Sequence, residues 1–475
     1  QDGSGGLKVN ASSGAVKFGA MGQTTPLASL SVSGVKTLDL TGNIRVQGAL
    51  DLNSVSNIVL ANDITIKNVG GGDIKLAGGN IDGGFALTVE SGGGSTTLGL
   101  IGQNVPLATV TVVSSGQTDL KGNIATSGAG GVDFNQASNV KLSNDVTIDT
   151  SSGNGAVKLN GGAVDGLFAF VVKAGTGEIS LGEIGKNAPF AALTIQGGSI
   201  DQQANLNSQG EIALSSSGDI TMSADAITTS NNNPINYTST AGNVLIGELN
   251  AGSADVTVDT TGGGSIMNNQ AEFLALNSGQ TGPINIKGNN VTLRANDRIG
   301  ESISDAVAVD IPGTIHLEFG AEEAFIRNIR ASNVVVKGNG KVVNGLVESR
   351  VAKQKSESAS QQTFSFEGDP ELIQEAQLLM TVLSPGFGSA TEMGQAGEIT
   401  SLNPEVPNMV RTSGGWRFIR DDNGGAVNAG PKEDEQEKHL QKRKSREREK
   451  HDKEIDERFK EGFKYSIDPF SSKGR

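Results

Sequence analysis

A ten-residue phrase that comes back at a nearly constant step limits the fold of this chain more than any other feature. Met21-Gly-Gln-Thr-Thr-Pro-Leu-Ala-Ser-Leu30 returns as Ile101-Gly-Gln-Asn-Val-Pro-Leu-Ala-Thr-Val110 and again as Ile184-Gly-Lys-Asn-Ala-Pro-Phe-Ala-Ala-Leu193. Its glycines stand at positions 22, 102 and 185. Other landmarks keep the step. Gly42-Asn43-Ile44 matches Gly122-Asn123-Ile124, and Asn62-Asp63-Ile64-Thr65-Ile66 matches Asn144-Asp145-Val146-Thr147-Ile148. Asp82-Gly83-Gly84-Phe85 matches Asp165-Gly166-Leu167-Phe168. A step of roughly 80 residues is too long for one supersecondary element and divides into about four sub-units of roughly 20 residues.

Short alternating strands fill the sub-units, among them Thr37-Leu-Asp-Leu40, Ile64-Thr-Ile66 and Ile74-Lys-Leu76. Clusters of Gly, Asn, Asp and Ser separate them, and no helical periodicity intervenes. Aromatic residues make up only 4% of the chain against 66 glycines, so a core built on large rings is excluded in favour of thin aliphatic layers. The fold expected is all-β, a right-handed parallel β-helix over residues 1–345. Inward Val, Ile and Leu would form ladders, and Gly and Asn would take the corners. About 17 coils at the inter-strand spacing give a rod on the order of 80 Å. Leu7 to Gly22 aligns with Leu87 to Gly102, the closing part of a unit, so the chain is expected to be the C-terminal piece of a longer protein.

Composition changes near Val351. Residues 346–368 read as a linker. Asp369-Pro-Glu is a helix start, and Leu372, Ile373, Ala376, Leu379, Met380 and Leu383 follow at helical spacing before Ser384-Pro385. This amphipathic helix is expected to cap the last coil or to bind a partner. It belongs to an irregular region, 369–431, in which Trp416 reads as a local packing anchor. The tail, 432–475, interleaves Lys and Arg with Asp and Glu and reads as a solvated helix or as disorder. Its basic run Lys442-Arg-Lys-Ser-Arg446 is the one stretch suited to an anionic surface.

Chemistry-bearing residues are sparse. Asp63 and Asp145 recur at equivalent positions but, four coils apart, would lie roughly 19 Å from each other. That is too far for the carboxylate pair of a polysaccharide hydrolase or lyase. Their recurrence suits a turn-forming Asn-Asp before a strand. His316 stands alone in a strand-like segment, and His439 and His451 lie in the charged tail. Glycine runs lack the Gly-Lys-Ser/Thr of a phosphate loop, and the absence of Cys removes thiolate metal sites. No catalytic, cofactor or metal residue is therefore expected. A net charge of −14 disfavours nucleic acid as a partner. No apolar run reaches the ~18 residues of a membrane helix, and the first ten residues do not read as a signal peptide.

The phrase Ile-Gly-x-x-x-Pro-Leu-Ala, with Leu-x-Gly-Asn-Ile and Asn-Asp-Val-Thr-Ile after it, resembles the repeats of large filamentous-haemagglutinin-like exoproteins. It is also similar to passenger repeats of giant autotransporter adhesins. Asn296-Asp-Arg-Ile-Gly300 and Ile315-His-Leu-Glu-Phe319 resemble the last irregular coils of such proteins. The resemblance covers residues 1–345. It implies a structural or adhesive fibre at the surface of a Gram-negative cell, exported through a separate outer-membrane transporter. Implied partners are other copies of the chain, or glycans or proteins on host or neighbouring cells. A secreted β-helical polysaccharide-processing enzyme is the alternative.

Overall fold

In the computed structural model, residues 2–270, 282–337, 341–344, 363–367, 409–412 and 415–418 are described. They fall into two units, divided between Pro404 and Glu405. The first is a parallel β-solenoid of about 15 turns with no helix among its described residues. At about 4.8 Å per turn it is some 70 Å long.

Each turn has three sides, visited by the chain in constant order. Leu7, Leu30, Leu50 and Ile74 stack on the first side. The second side carries the longest ladder. It runs Val16, Leu38, Ile58, Ile81, Ile101, Ile124, Ile148, Val172, Ile195, Leu214, Tyr237, Val258, Leu293, Leu317 and Val336, and ends opposite Phe366. Met21, Ile44, Ile66 and Val89 begin the third. Strand burial alternates as the pleat requires, Ser29–Ser33 and Ile64–Asn68 being examples, so one apolar set faces the axis while Asp, Lys, Ser and Thr face water. The result is a single core cluster running from Phe18 to Val342.

The corners explain the glycines. Gly22, Gly102 and Gly185 have φ of 68°, 70° and 69°, and a Cβ on each would meet a backbone carbonyl oxygen of the next coil at 2.1 to 2.2 Å. A side chain there would be both strained and blocked.

The repeat does not contain four coils. From Met21 to Ile101 the chain passes eleven sides, through Leu30, Leu38, Ile44, Leu50, Ile58, Ile66, Ile74, Ile81, Val89 and Thr96. Eleven sides are three and two-thirds turns. Met21 therefore lies on the third side, Ile101 on the second and Ile184 on the first. Successive repeats are turned by one-third of a revolution. Consecutive rungs of the second-side ladder, such as Ile124, Ile148 and Val172, stand further apart in sequence than the expected sub-unit. These longer coils account for both the fractional repeat and the smaller number of turns.

The stretch expected to be a linker contributes a strand. Thr363–Glu367 pairs in parallel with Asn333–Lys337, setting Phe364 and Phe366 opposite Val334 and Val336. Apolar alternation in Thr-Phe-Ser-Phe-Glu suits a further rung. In the second unit, Met409–Thr412 and Gly415–Phe418 form an antiparallel pair with Trp416 opposite Arg411, within the region expected to be irregular. Every other strand pairing among the described residues is parallel. The amphipathic helix expected from Asp369 and the charged tail, with His439 and His451, lie outside the described residues.

Candidate functional site

The repeat landmarks assemble corners rather than reactive centres. Asp63 Oδ1 accepts the Ala86 N–H at 2.9 Å, and Asp145 Oδ1 accepts the Ala169 N–H at 2.9 Å. Each exposed carboxylate thus tethers the start of the next coil's strand. Asp63 precedes a third-side strand and Asp145 a second-side strand, so the two lie on different sides of the solenoid. Asn43, Asn123 and Asn205 act in the same way, their Oδ1 atoms accepting the N–H of Thr65, Thr147 and Ile227 at 2.8 Å. Asp82 accepts two backbone N–H groups and the Asn104 amide, and Asp165 repeats this with Asn187 and Ala188. His316 is exposed on the second side between Thr292 and Val335. Among the described residues no group of His, Cys, Asp and Glu is arranged to hold a metal ion.

A groove of about 480 Å³ crosses the corner between the third and first sides. Asn139, Asn160, Glu183, Lys186, Asn187 and Gln203 line it, with Gly161, Gly162 and Gly182. The contributions come from four successive coils, so the groove runs about 14 Å along the axis. Gly182 makes the opening. A Cβ there would meet Asn160 Cα at 2.9 Å, and without one the Asn160 amide reaches across the intervening coil to donate to Gln203 Oε1 at 3.0 Å. Gln203 in turn donates to Asp201 Oδ2 at 2.7 Å, and Asn187 is held on Asp165 at 2.8 Å. The Asn160, Gln203 and Asn187 amides are thus fixed by the scaffold.

Buried polar groups elsewhere differ: the Thr96, Thr118 and Thr126 hydroxyls have no hydrogen-bond partner, whereas the Tyr237 cluster is internally bonded. Tyr237, fully buried, donates to Gln202 Oε1 at 2.8 Å and lies 2.7 Å from Thr228 Oγ1. Burial raises its phenol well above the usual tyrosine range. Burial likewise lowers the Arg327 guanidinium, which donates to the Pro283 carbonyl.

Sequence reading singled out none of the groove residues as a site. The available signal was a departure inside the repeat. Gln23 and Gln103 fold back to donate to carbonyls of their own corner and of the next coil, but the third copy has Lys186 there. Comparison with known proteins finds no matching family, no matching curated protein and no matching solved structure.

Proposed function

We propose that the chain is a structural and adhesive rod of a bacterial cell surface, in keeping with the exoprotein-like repeats in its sequence. The observation that carries this reading is the use to which the repeat is put. Three copies reproduce the same scaffold bonds on three different sides of the solenoid, so what recurs is a device for extending a rigid shaft, not a reacting centre. A rod some 70 Å long holds its distal part away from its point of attachment and offers long faces for repeated weak contacts. Self-association or contact with glycans or proteins of another cell is the corresponding mode of action. Export would use a separate outer-membrane transporter, and nucleic acid is not among the partners.

Electron microscopy of surface-extracted protein, combined with adhesion of beads coated with the full chain, tests this. Rods or filaments with a ~4.8 Å axial spacing, together with bead adhesion to cells, are expected. Release of unsaturated or reducing sugars from polysaccharide by the purified chain would instead establish the enzymatic reading.

A further inference from the structure

We propose that the groove at the third repeat is a binding site for a neutral oligosaccharide. The inference rests on the adhesive reading above and names the ligand class for it.

The repeats serve as internal controls. At positions equivalent to Ala77, Leu100, Gln103 and Lys121 of the second copy, the third has Asn160, Glu183, Lys186 and Gln203. All four replacements face one groove, where Ala163 and Ala204 also replace Asn80 and Gly122; three glycines are kept, Gly161, Gly162 and Gly182 standing where the second copy has Gly78, Gly79 and Gly99. Most of the glycine scaffold is therefore held while the lining exchanges an exposed leucine and a self-bonded glutamine for a carboxylate and an ammonium, and gains the Asn160 and Gln203 amides. At Leu100 this corner leaves 44% of an apolar side chain in water. At Glu183 it places a carboxylate there.

The chemistry of the lining selects the ligand. The exposed Asn139, Asn187 and Gln203 amides each carry a donor and an acceptor, as each sugar hydroxyl does, whereas Asn160 Oδ1 is buried. Glu183 and Lys186 cancel in charge, which disfavours a strongly anionic ligand. The apolar lining comes from glycine, alanine and side-chain stems, with no aromatic or branched side chain to anchor a peptide. The volume lies within the range of small-molecule sites. Polar groups recurring at the coil spacing of about 4.8 Å present a row of partners to an extended hydroxylated chain. The cross-coil bonds of Asn160 with Gln203 and of Asn187 with Asp165 set the amides in advance, lowering the ordering cost of binding.

Calorimetric titration of the full chain with neutral glucan, galactan and N-acetylglucosamine oligomers, and with a hexuronate oligomer, tests the site. The informative variant is E183L/K186Q, which installs residues that the same corner already holds at Leu100 and Gln103. At least one neutral oligomer is expected to bind. The double variant is expected to weaken that binding at least tenfold with its melting temperature unchanged. Binding by the hexuronate alone, no binding by any neutral oligomer, or undiminished affinity in the variant would overturn the proposal. The adhesion assay separates the two readings. If variant-coated beads adhere as well as wild type, the rod reading stands and the groove assignment falls. If the groove binds oligosaccharide but no bead adheres, the groove stands and the adhesive role falls.

Discussion

Two glycines of one repeat separate conformational strain from steric blockage. Gly102 combines φ of 70° with a carbonyl oxygen 2.2 Å from the position of an added Cβ, whereas Gly84 has φ of 54° and open space around it. Gly84→Ala should therefore cost only the left-handed backbone strain, roughly 1–2 kcal/mol. Gly102→Ala adds a clash with the backbone of the next coil and should lower the melting temperature clearly further. Equal effects in thermal denaturation would refute the distinction. Tyr237 gives a second residue-level expectation. Its hydroxyl is bonded to Gln202 and Thr228 in a dry interior, and Tyr237→Phe leaves those groups with one partner fewer, at a cost of about 1–3 kcal/mol. Since the folded phenol has a raised pKa, the folded state retains a proton that the unfolded state releases above about pH 10. That contribution is full below pH 10 and is lost as pH rises further. The alkaline fall in stability should be shallower in Tyr237→Phe than in wild type. Parallel slopes in a pH series of denaturation curves would exclude Tyr237 as the cause.

At the scale of elements, in-register parallel stacking places every outward residue opposite its counterpart one turn away, so like charges would repel along a column. On the second side, Asp259, Arg294, Glu318, Lys337 and Glu367 follow one another with alternating sign. Arg294 lies 3.6 Å from Asp259 and 3.7 Å from Glu318, and Lys337 lies 3.4 Å from Glu318. Each pair is partly exposed and contributes little, within about 0–1 kcal/mol. Glu318→Lys would set three cations in a row, and its destabilisation should shrink as salt is raised. A salt-independent change would show that packing, not charge, holds the column. The inward elements respond differently. Phe170 and Phe190 stack with centroids 5.4 Å apart on neighbouring turns. Phe190→Ala should cost about 3–5 kcal/mol irrespective of salt. The strand at Thr363–Glu367 lies in the stretch that reads as a linker, although its Thr-Phe-Ser-Phe-Glu alternates. Its membership of the solenoid was not legible, because its register with Asn333–Lys337 is a long-range contact that no local pattern encodes.

On the scale of the whole molecule, the one-third rotation between repeats means that equivalent surface groups face different directions around the shaft. Since the chain contains no cysteine, spin labels can be placed at Gln103→Cys and Lys186→Cys, equivalent positions on different sides. If the repeats were stacked in line, the labels would be separated by the axial rise alone, about 18 Å for three and two-thirds turns. The rotated arrangement adds the width of the solenoid, so a clearly longer distance is expected, and a separation equal to the axial rise would contradict it. The sequence by itself determined the all-β class, the parallel stacking implied by a repeat of short strands, and the inward and outward sets. These follow from periodicity and turn chemistry, which are local. The number of sides per repeat, the direction each copy faces and the groove were decided only by the tertiary structure. Sequence spacing counts residues along the chain, whereas corner geometry decides how many of them make a turn. The groove exists because a glycine in one coil lets Asn160 and Gln203, two coils apart, meet across it.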